Sequence, residues 1–437
     1  MSRAAAPRGR TPLAPQVAFI VLALLVSIGA YVMAGYGKRG QLPSTFVLYA
    51  SIFVGGYAGA FAVIRRFAPR ADPSLFPAGA LLVGIGFAMI FRLSGGLAAE
   101  QATWILVGLL AFTITLVVVR DARTLDAYTY TIGLIGLLLL LLPAAPIVGK
   151  TINGARLWVQ VGPVGFQPAE IGKVLIVIFL ASYLNQKREL LRVATSRFGP
   201  LRLPPAKHLG PVLLAWGASL AILFIQRDLG ASLLYFAIFV AMLWVATGRA
   251  AYLAIGLVLF VVGAYVGWVL FAHVQLRVDV WLHALDPAKV FEQGFGQLAQ
   301  AQFGMASGGL VGTGLGQGSP GLIPFAATDF IFAAIGEELG LLGTTAILLL
   351  YVVLVGKGLA AGLRASDGFS ALLAVGLSTL IALQTFVIVG GVTRVIPLTG
   401  VTLPFVSYGG SSLVSNFVLL ALLVRVSSGP LARPGAR

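Results

Sequence analysis

The chain has 437 residues, of which 59% are hydrophobic and only 10% charged, and its mean hydropathy is +0.97. A water-soluble protein of this length would have about a quarter of its residues charged, so the composition excludes a soluble globular domain. The net charge of +16 would suggest a nucleic-acid partner in a soluble protein, but here the basic residues lie in short runs between long apolar stretches. The sequence contains no cysteine, which excludes disulfides and thiolate metal sites. The composition therefore indicates a protein that crosses a membrane many times.

Membrane-spanning helices are the first elements that the sequence predicts. A span needs roughly 20 apolar residues to cross about 30 Å of hydrocarbon, and continuous apolar runs of this length satisfy their backbone groups in lipid only as helices. Such segments lie near 16–37, 45–64, 75–91, 103–119, 127–148, 168–185, 209–226, 229–247, 251–272, 330–356, 369–391 and 404–426. We therefore predict an all-α polytopic membrane helix bundle of about 12 transmembrane helices, with cytoplasmic tails over 1–15 (disordered) and 427–437.

The connecting segments predict the orientation of these helices. With the N-terminus inside, 20 of the 30 basic residues fall on the inner side, as the positive-inside rule requires, and an even number of spans places both termini in the cytoplasm. Most of the 14 acidic residues fall on the outer side, which predicts an outward-facing polar cavity. Two outer segments, 149–167 and 273–329, are too long to be simple turns, and long loops of this kind are usually functional.

Ionisable residues at or inside apolar spans are functional candidates, because each costs at least about 2.5 kcal/mol in the membrane. Glu170 and Lys173 are three residues apart and share a helix face, so they form either a structural ion pair or a substrate contact. Asp228 lies between two apolar runs and is either a functional carboxylate or the N-cap of the following helix. Asp329 could cap the tenth span. Glu337 and Glu338 lie on the same membrane helix, however, and capping does not account for three acidic residues there. We expect at least one of the two glutamates to face a polar cavity.

The glycines predict close contacts. The run Gly308–Gly318 lacks the spacing of a dinucleotide- or phosphate-binding loop, so it predicts a flexible loop that approaches other backbone closely. The pairs Gly55/Gly59, Gly263/Gly267 and Gly358/Gly362 predict helix packing. The remaining candidates, cations and carboxylates on the outer side, suit an anionic lipid-linked substrate, and they suit a transporter equally.

Several ordered stretches resemble the SEDS family (shape, elongation, division and sporulation), which includes RodA, FtsW and SpoVE. These stretches are Asn153–Trp158 with Gln167–Lys173, Asp228–Gly230, Asp286–Leu310, Thr328–Phe332 with Glu337–Gly340, and Pro397–Gly400 with Leu403–Ser412. The resemblance covers 75–426, with the large outer loop 273–329. The region 16–74 is then an additional N-terminal transmembrane hairpin, as in some RodA-like members.

The resemblance implies a peptidoglycan glycosyltransferase that polymerises lipid II at the outer leaflet of the bacterial cell membrane during cell-wall synthesis, in elongation or division. Family members work with a class B penicillin-binding protein, a transpeptidase. The family's essential aspartate maps by motif onto Asp228, as the general base. The implied substrate-binding residues are Arg156, Trp158, Glu170, Lys173, Asp329, Ser407 and Ser411. Arg156 and Lys173, or a bound Mg²⁺ or Mn²⁺, would neutralise the undecaprenyl diphosphate leaving group. Neither an organic cofactor nor a nucleic-acid partner is expected.

The sequence departs from the family pattern at several positions. Arg227 precedes the aspartate where proline is common, Ile388 stands where asparagine is expected, and Arg394 stands where a small residue is usual. Two other classes of function remain open. A lipid II flippase would need polar residues that continue to the inner leaflet, whereas a non-catalytic scaffold for a penicillin-binding protein would tolerate substitution of Asp228.

Overall fold

The computed structural model describes residues 11–145, 148–152, 155–161, 164–192, 196–198, 201–203, 213, 217–218, 221–222, 225–226, 228–292 and 294–429. Within them lie 13 α-helices and two small β-sheets. The helices are α1 Leu13–Arg39, α2 Phe46–Phe67, α3 Leu75–Leu93, α4 Gly95–Val118, α5 Thr129–Leu141, α6 Pro168–Arg192, α7 Leu229–Thr247, α8 Ala250–Leu270, α9 Ala272–His283, α10 Phe295–Gly308, α11 Ile331–Leu363, α12 Gly368–Val392 and α13 Gly410–Ser428. The strands are β1 Gly149–Ile152, β2 Ala155–Val161, β3 Val164–Phe166, β4 Ser196–Phe198 and β5 Leu201–Leu203.

The predicted membrane-helix bundle is confirmed. In the described residues, 11 helical segments are long and apolar enough to cross a membrane, and each corresponds to one predicted span. The predicted span 209–226 lies largely outside the described residues. The helix α4 begins at Gly95, earlier than predicted, because Ser94 caps it by accepting a hydrogen bond from the Leu97 N–H at 3.4 Å.

The bundle has a buried centre and a lipid-exposed rim. The helices α3, α12 and α13 are mostly buried, whereas α8 exposes most of its apolar side chains. Contacts at the two ends agree with the predicted sides of the membrane. At the predicted inner end, Asp72 lies 3.6 Å from the Lys357 ammonium and 3.4 Å from the Arg364 guanidinium. At the predicted outer end, Arg92 pairs with Glu338 at 2.9 Å.

Both long outer segments contain regular structure that the sequence analysis did not predict. The segment 149–167 forms an antiparallel sheet in the order β1-β2-β3, in which Lys150 pairs with Trp158 and Val159 with Phe166. Its β-branched and aromatic residues favour strands. The segment 273–329 contains most of α9, all of α10 and the glycine loop Gly308–Gly318.

The glycine predictions have mixed outcomes. A Cβ atom on Gly358 would lie 2.1 Å from Ser378 Oγ of α12, so the predicted packing at Gly358/Gly362 is confirmed. In contrast, a Cβ atom on Gly55 or Gly59 would meet nothing within 4 Å among the described residues. The packing prediction for that pair is therefore wrong within this part of the chain.

Candidate functional site

Asp228 lies at the start of α7, where it acts as the helix N-cap. Its Oδ1 accepts a hydrogen bond from the Ala231 N–H at 2.9 Å, which satisfies one of the free donors at the helix start. The helix start packs against the turn Pro397–Val401, because a Cβ atom on Gly230 would lie 3.1 Å from the Thr399 carbonyl oxygen. The prediction that Asp228 is a helix N-cap is therefore confirmed, and the same geometry places its carboxylate beside this turn.

The turn Pro397–Val401 also brings Arg277 and Asp329 together. Arg277 of α9 donates a hydrogen bond from Nη1 to the Leu398 carbonyl at 2.6 Å. Gly400 has a positive φ of 76°, and a Cβ atom there would lie 3.5 Å from Arg277 Nη2 and 3.9 Å from Asp329 Oδ2. Glycine thus provides the left-handed backbone of a turn that both side chains approach.

Asp228, Arg277 and Asp329 interact electrostatically, and we call them the outer charge cluster. In the described residues, Arg277 forms no ion pair within 4.0 Å with either carboxylate. The cluster therefore consists of two carboxylates and a guanidinium that are close enough to influence one another but are not locked together by direct contact.

The environment of the outer charge cluster raises the pKa of both of its carboxyl groups. Burial raises the pKa of Asp228. The Ala231 N–H and the Arg277 guanidinium oppose this effect, because each of them lowers that pKa. Burial also raises the pKa of Asp329, to about 6. Arg277 lowers this pKa, whereas the Asp228 carboxylate contributes a further increase. A carboxylate with a raised pKa is better suited to accept a proton near neutral pH.

Glu170 and Lys173 form the ion pair that their spacing predicts. Lys173 Nζ lies 2.5 Å from Glu170 Oε2 and also donates to Gln384 Oε1 of α12 at 3.0 Å. Ser415 Oγ of α13 donates to Glu170 Oε2 at 3.4 Å. Lys173 is only 3% exposed, so the pair connects three buried helices.

Arg156 and Trp158 lie on the three-stranded sheet. Arg156 Nη2 donates to the Ala145 carbonyl at 2.9 Å and to the Gly149 carbonyl at 3.4 Å, so this guanidinium holds the sheet against the end of the α5 segment. The Trp158 indole packs across Gly165, where a Cβ atom would lie 3.3 Å from the ring.

Ser407 and Ser411 join separate segments of the predicted outer end. Ser407 Oγ accepts from the Leu403 N–H at 2.9 Å and donates to the Thr328 carbonyl at 2.7 Å, directly beside Asp329. Ser411 Oγ accepts from the Gln167 N–H at 3.0 Å, just before α6. Both hydroxyls thus form hydrogen bonds with backbone that flanks candidate site residues.

Among the described residues, Glu337 and Glu338 bind the glycine loop and Arg92 and face no polar cavity, so that expectation was wrong within this part of the chain. Glu338 is fully buried, where its Oε1 accepts from Arg92 and its Oε2 from the Gly316 N–H at 2.9 Å. Glu337 Oε1 accepts from the Ser319 N–H at 2.5 Å. The glycine loop approaches α11 so closely that a Cβ atom on Gly312 would lie 2.2 Å from the Glu338 carbonyl oxygen. Asp329 does not cap α11, whose N-cap is Phe330.

A cavity of about 650 Å³ lies at the junction of α8 and α9, away from the outer charge cluster. Trp268, Gln275 and Asp279 are among its lining residues, and Arg277 is not. Arg277 and Asp279 are two residues apart on a helix and therefore point to nearly opposite sides. The cluster and the cavity thus occupy different sides of α9, and the charge cluster is the site with candidate chemistry.

Sequence reasoning missed Arg277. Its position in the long outer loop was the one available indication, because nothing in residue type ranks it above the other basic residues of that side. Arg227, which the sequence places beside Asp228, lies outside the described residues.

Comparison with known proteins identifies the family. The chain matches the family model of the FtsW, RodA and SpoVE cell cycle proteins over residues 75–429. It belongs to this family. The peptidoglycan glycosyltransferase RodA of Mycobacterium tuberculosis is 41% identical over 446 residues, which cover 98% of this chain and 94% of that relative. The corresponding protein of Mycobacterium leprae is 43% identical over 389 residues, covering 87% and 82%.

Solved structures agree with this membership. A chain from a peptidoglycan synthase complex, solved to describe the coordination of polymerization and crosslinking, superposes with a TM-score of 0.66 and 27% identity. The match covers 82% of this chain and 97% of that one. The predicted family is therefore confirmed, and the chain is a multi-pass protein of the bacterial inner membrane.

Proposed function

We propose that this protein is a peptidoglycan glycosyltransferase that polymerises lipid II at the outer leaflet, with Asp228 as the general base. The observation that carries the proposal is the outer charge cluster, in which two carboxylates and the Arg277 guanidinium meet at the turn Pro397–Val401. The mycobacterial relatives named peptidoglycan glycosyltransferases, aligned over nearly the whole chain, support the same activity.

The proposed reaction is a direct displacement. The acceptor hydroxyl of one lipid II molecule gives its proton to the Asp228 carboxylate while its oxygen bonds to the anomeric carbon of the growing chain. The bond from that carbon to undecaprenyl diphosphate breaks, and its electron pair leaves with the diphosphate. The attack comes from the opposite face, so the anomeric centre inverts from α to β.

The leaving diphosphate needs positive charge, and the contacts favour Arg277 for this role. Arg156 donates to backbone carbonyls and Lys173 is buried against Glu170, whereas Arg277 uses one nitrogen for Leu398 and forms no direct ion pair in the described cluster. A guanidinium forms strong charge-assisted hydrogen bonds with phosphate oxygens. Arg277 therefore replaces Arg156 and Lys173 as the proposed diphosphate contact.

The outer charge cluster does not fit a divalent cation. Its two carboxylates lie beside a guanidinium, and no three His, Cys, Asp or Glu side chains of the described residues come together as a metal site. The Mg²⁺ or Mn²⁺ of the sequence prediction thus has no evident ligand set in this part of the chain, and the proposed steps use protein groups.

The proposed partner is a class B penicillin-binding protein, which would cross-link the strands that this chain polymerises. The similar chain from a complex that couples polymerization with crosslinking supports this pairing. The glycosyltransferase and its transpeptidase would act on the same strand at the outer face of the membrane.

The experiment is polymerisation of labelled lipid II by purified protein in detergent, with and without the partner. We expect Asp228→Asn to lower the rate by about 10²–10⁴-fold, the usual contribution of a general base. Asp367→Asn is the matched control, because Asp367 also caps a helix, through the Ser370 N–H at 2.8 Å, but lies at the predicted inner end. Asparagine caps helices well, so folding should survive in both variants.

The outcomes separate the three classes of function. Polymer from the wild type, lost only in Asp228→Asn, supports the enzyme and its base. Full activity of Asp228→Asn would overturn the base assignment. Transfer of lipid II across vesicles without polymer would indicate the flippase, and neither activity would indicate the scaffold.

A further inference from the structure

Arg394 has a backbone conformation that calls for an explanation. Its φ is +61°, in the left-handed region that side chains with a Cβ atom rarely adopt. Only Phe325 and Phe405 share a positive φ among the non-glycine residues that the structure describes. Strained residues persist where the surrounding contacts determine the conformation, and they are common at functional sites.

The contacts of Arg394 are with the last turn of α9, and they run in both directions. Trp281 Nε1 donates to the Arg394 carbonyl at 2.9 Å. In return, Arg394 Nε and Nη2 donate to the Trp281 carbonyl at 3.2 and 3.1 Å, and Nη2 also donates to the Leu282 carbonyl at 3.2 Å. The last carbonyls of a helix lack partners within it and carry partial negative charge, so a guanidinium suits this position.

The segment that begins at Arg394 contacts α9 a second time, at the outer charge cluster. Its Leu398 carbonyl accepts the hydrogen bond from Arg277, which is one helical turn before Trp281 and therefore on the same face. The segment itself is tied to α12, because the Val395 N–H donates to the Gly390 carbonyl at 2.8 Å. Residues 394–398 thus hold two successive turns of α9 against the helix bundle.

We propose that Arg394 is a positioning residue, which holds α9 so that the Arg277 guanidinium stays near Asp228 and Asp329. The expected effect of Arg394 on polymerisation rests on the proposed function, whereas its role in holding α9 does not. The left-handed backbone aims the Arg394 carbonyl and guanidinium at the same helix end, and this double contact explains why an arginine occupies a conformation suited to glycine.

Arg394→Gly tests the positioning role, because it removes the guanidinium and relieves the strained φ while it keeps the backbone carbonyl. We expect the melting temperature of the purified protein to stay equal or rise, while the polymerisation rate falls at least tenfold. Arg394→Lys keeps a cation that can reach the carbonyls and should recover part of the rate. Val395→Ala is the control, since it shortens the neighbouring side chain, which is 61% exposed, and keeps the backbone N–H that binds the Gly390 carbonyl.

The pH profile distinguishes positioning from general destabilisation. The Arg277 guanidinium lowers the pKa of Asp228, and Glu170 raises it. If Arg277 moves away in Arg394→Gly, the pKa of Asp228 rises, and the acidic limb of the rate profile moves to higher pH. A rate loss with an unmoved limb, or one that follows a matching fall in melting temperature, would overturn the proposal.

Hydrogen exchange of the α9 amides tests the structural part without any enzymatic assay. We expect residues 277–283 to exchange faster in Arg394→Gly than in the wild type and in Val395→Ala. Unchanged exchange would overturn the inference even if polymerisation fell. If the wild type makes no polymer, the proposed function fails, and the exchange measurement still decides whether Arg394 holds α9.

Discussion

Two acidic groups with an arginine occupy the predicted outer end, and they differ in how their hydrogen-bonding capacity is used. Glu338 is fully buried, pairs with Arg92 at 2.9 Å and accepts from the Gly316 N–H, while Arg92 Nη2 donates to the Gly318 carbonyl at 2.7 Å. In the outer charge cluster, the carboxylates and Arg277 influence one another without a direct ion pair among the described residues.

The difference separates a structural site from one that can take part in a reaction. At Glu338, most of the polar atoms have protein partners, and the result is a fixed joint between α3, α11 and the glycine loop. At Asp228, the groups retain charge that a substrate could neutralise or a proton could occupy. Burial of an acidic residue beside an arginine is therefore not enough to indicate function. Whether its polar atoms already have protein partners separates a structural group from a reactive one.

Substitutions in the two groups should differ most in their effect on stability. Glu338→Ala removes the fully buried carboxylate that binds the half-buried Arg92 guanidinium and the Gly316 N–H, and loss of one member of a buried ion pair costs about 3–5 kcal/mol. Asp329→Asn, in a cluster without direct ion pairs, should change stability far less. Thermal unfolding in detergent checks both variants, and equal losses of melting temperature would contradict the contrast.

The N-terminal helix gives a test of intermediate size. A Cβ atom on Gly37 would lie 2.3 Å from the Leu315 carbonyl oxygen, so Gly37→Val should push α1 away from the glycine loop at a cost of about 1–3 kcal/mol. Gly29→Val, on the same helix, meets nothing within 4 Å among the described residues and serves as the control. If Gly29→Val lowers the melting temperature as much as Gly37→Val, the loop contact is not the cause.

The smallest expected effects are opposite shifts of the acidic limb of the rate profile. Arg277→Gln removes a cation that lowers the pKa of Asp228, so the limb should move to higher pH, together with a lower rate. Asp329→Asn removes a negative neighbour, so the limb should move to lower pH. Because the pKa of Asp329 is about 6, its negative charge is largely absent below that pH. The limb should therefore move less in Asp329→Asn than in Arg277→Gln. Shifts in the same direction would exclude mutual influence within the cluster.

The sequence predicted the elements that depend on local properties. Eleven described spans match because hydrophobic length alone decides whether a helix crosses a bilayer. The Glu170–Lys173 pair followed from a spacing of three residues on one helix. The ordered motifs identified the family, which the comparisons confirmed, and they selected Asp228 and Asp329, which the fold places near the same turn.

Contacts between distant segments were beyond the sequence. Nothing local indicated that Glu338 binds Arg92, that Arg277 faces two carboxylates, or that Gly55 and Gly59 lack a packing partner in the described residues. The same limit applies to Arg394, whose departure from the family pattern was visible but whose contact with α9 was not.

The sequence by itself determined the membrane-spanning class, the number of helices in the described residues and the family, because hydrophobic length and motif order are written along the chain. The tertiary structure decided which charges are neutralised and which stay reactive, because that depends on the partners that folding brings within hydrogen-bonding distance. Asp228 and Glu338 are both acidic residues that accept a hydrogen bond from a backbone N–H, and only their other three-dimensional neighbours separate a candidate base from a structural joint.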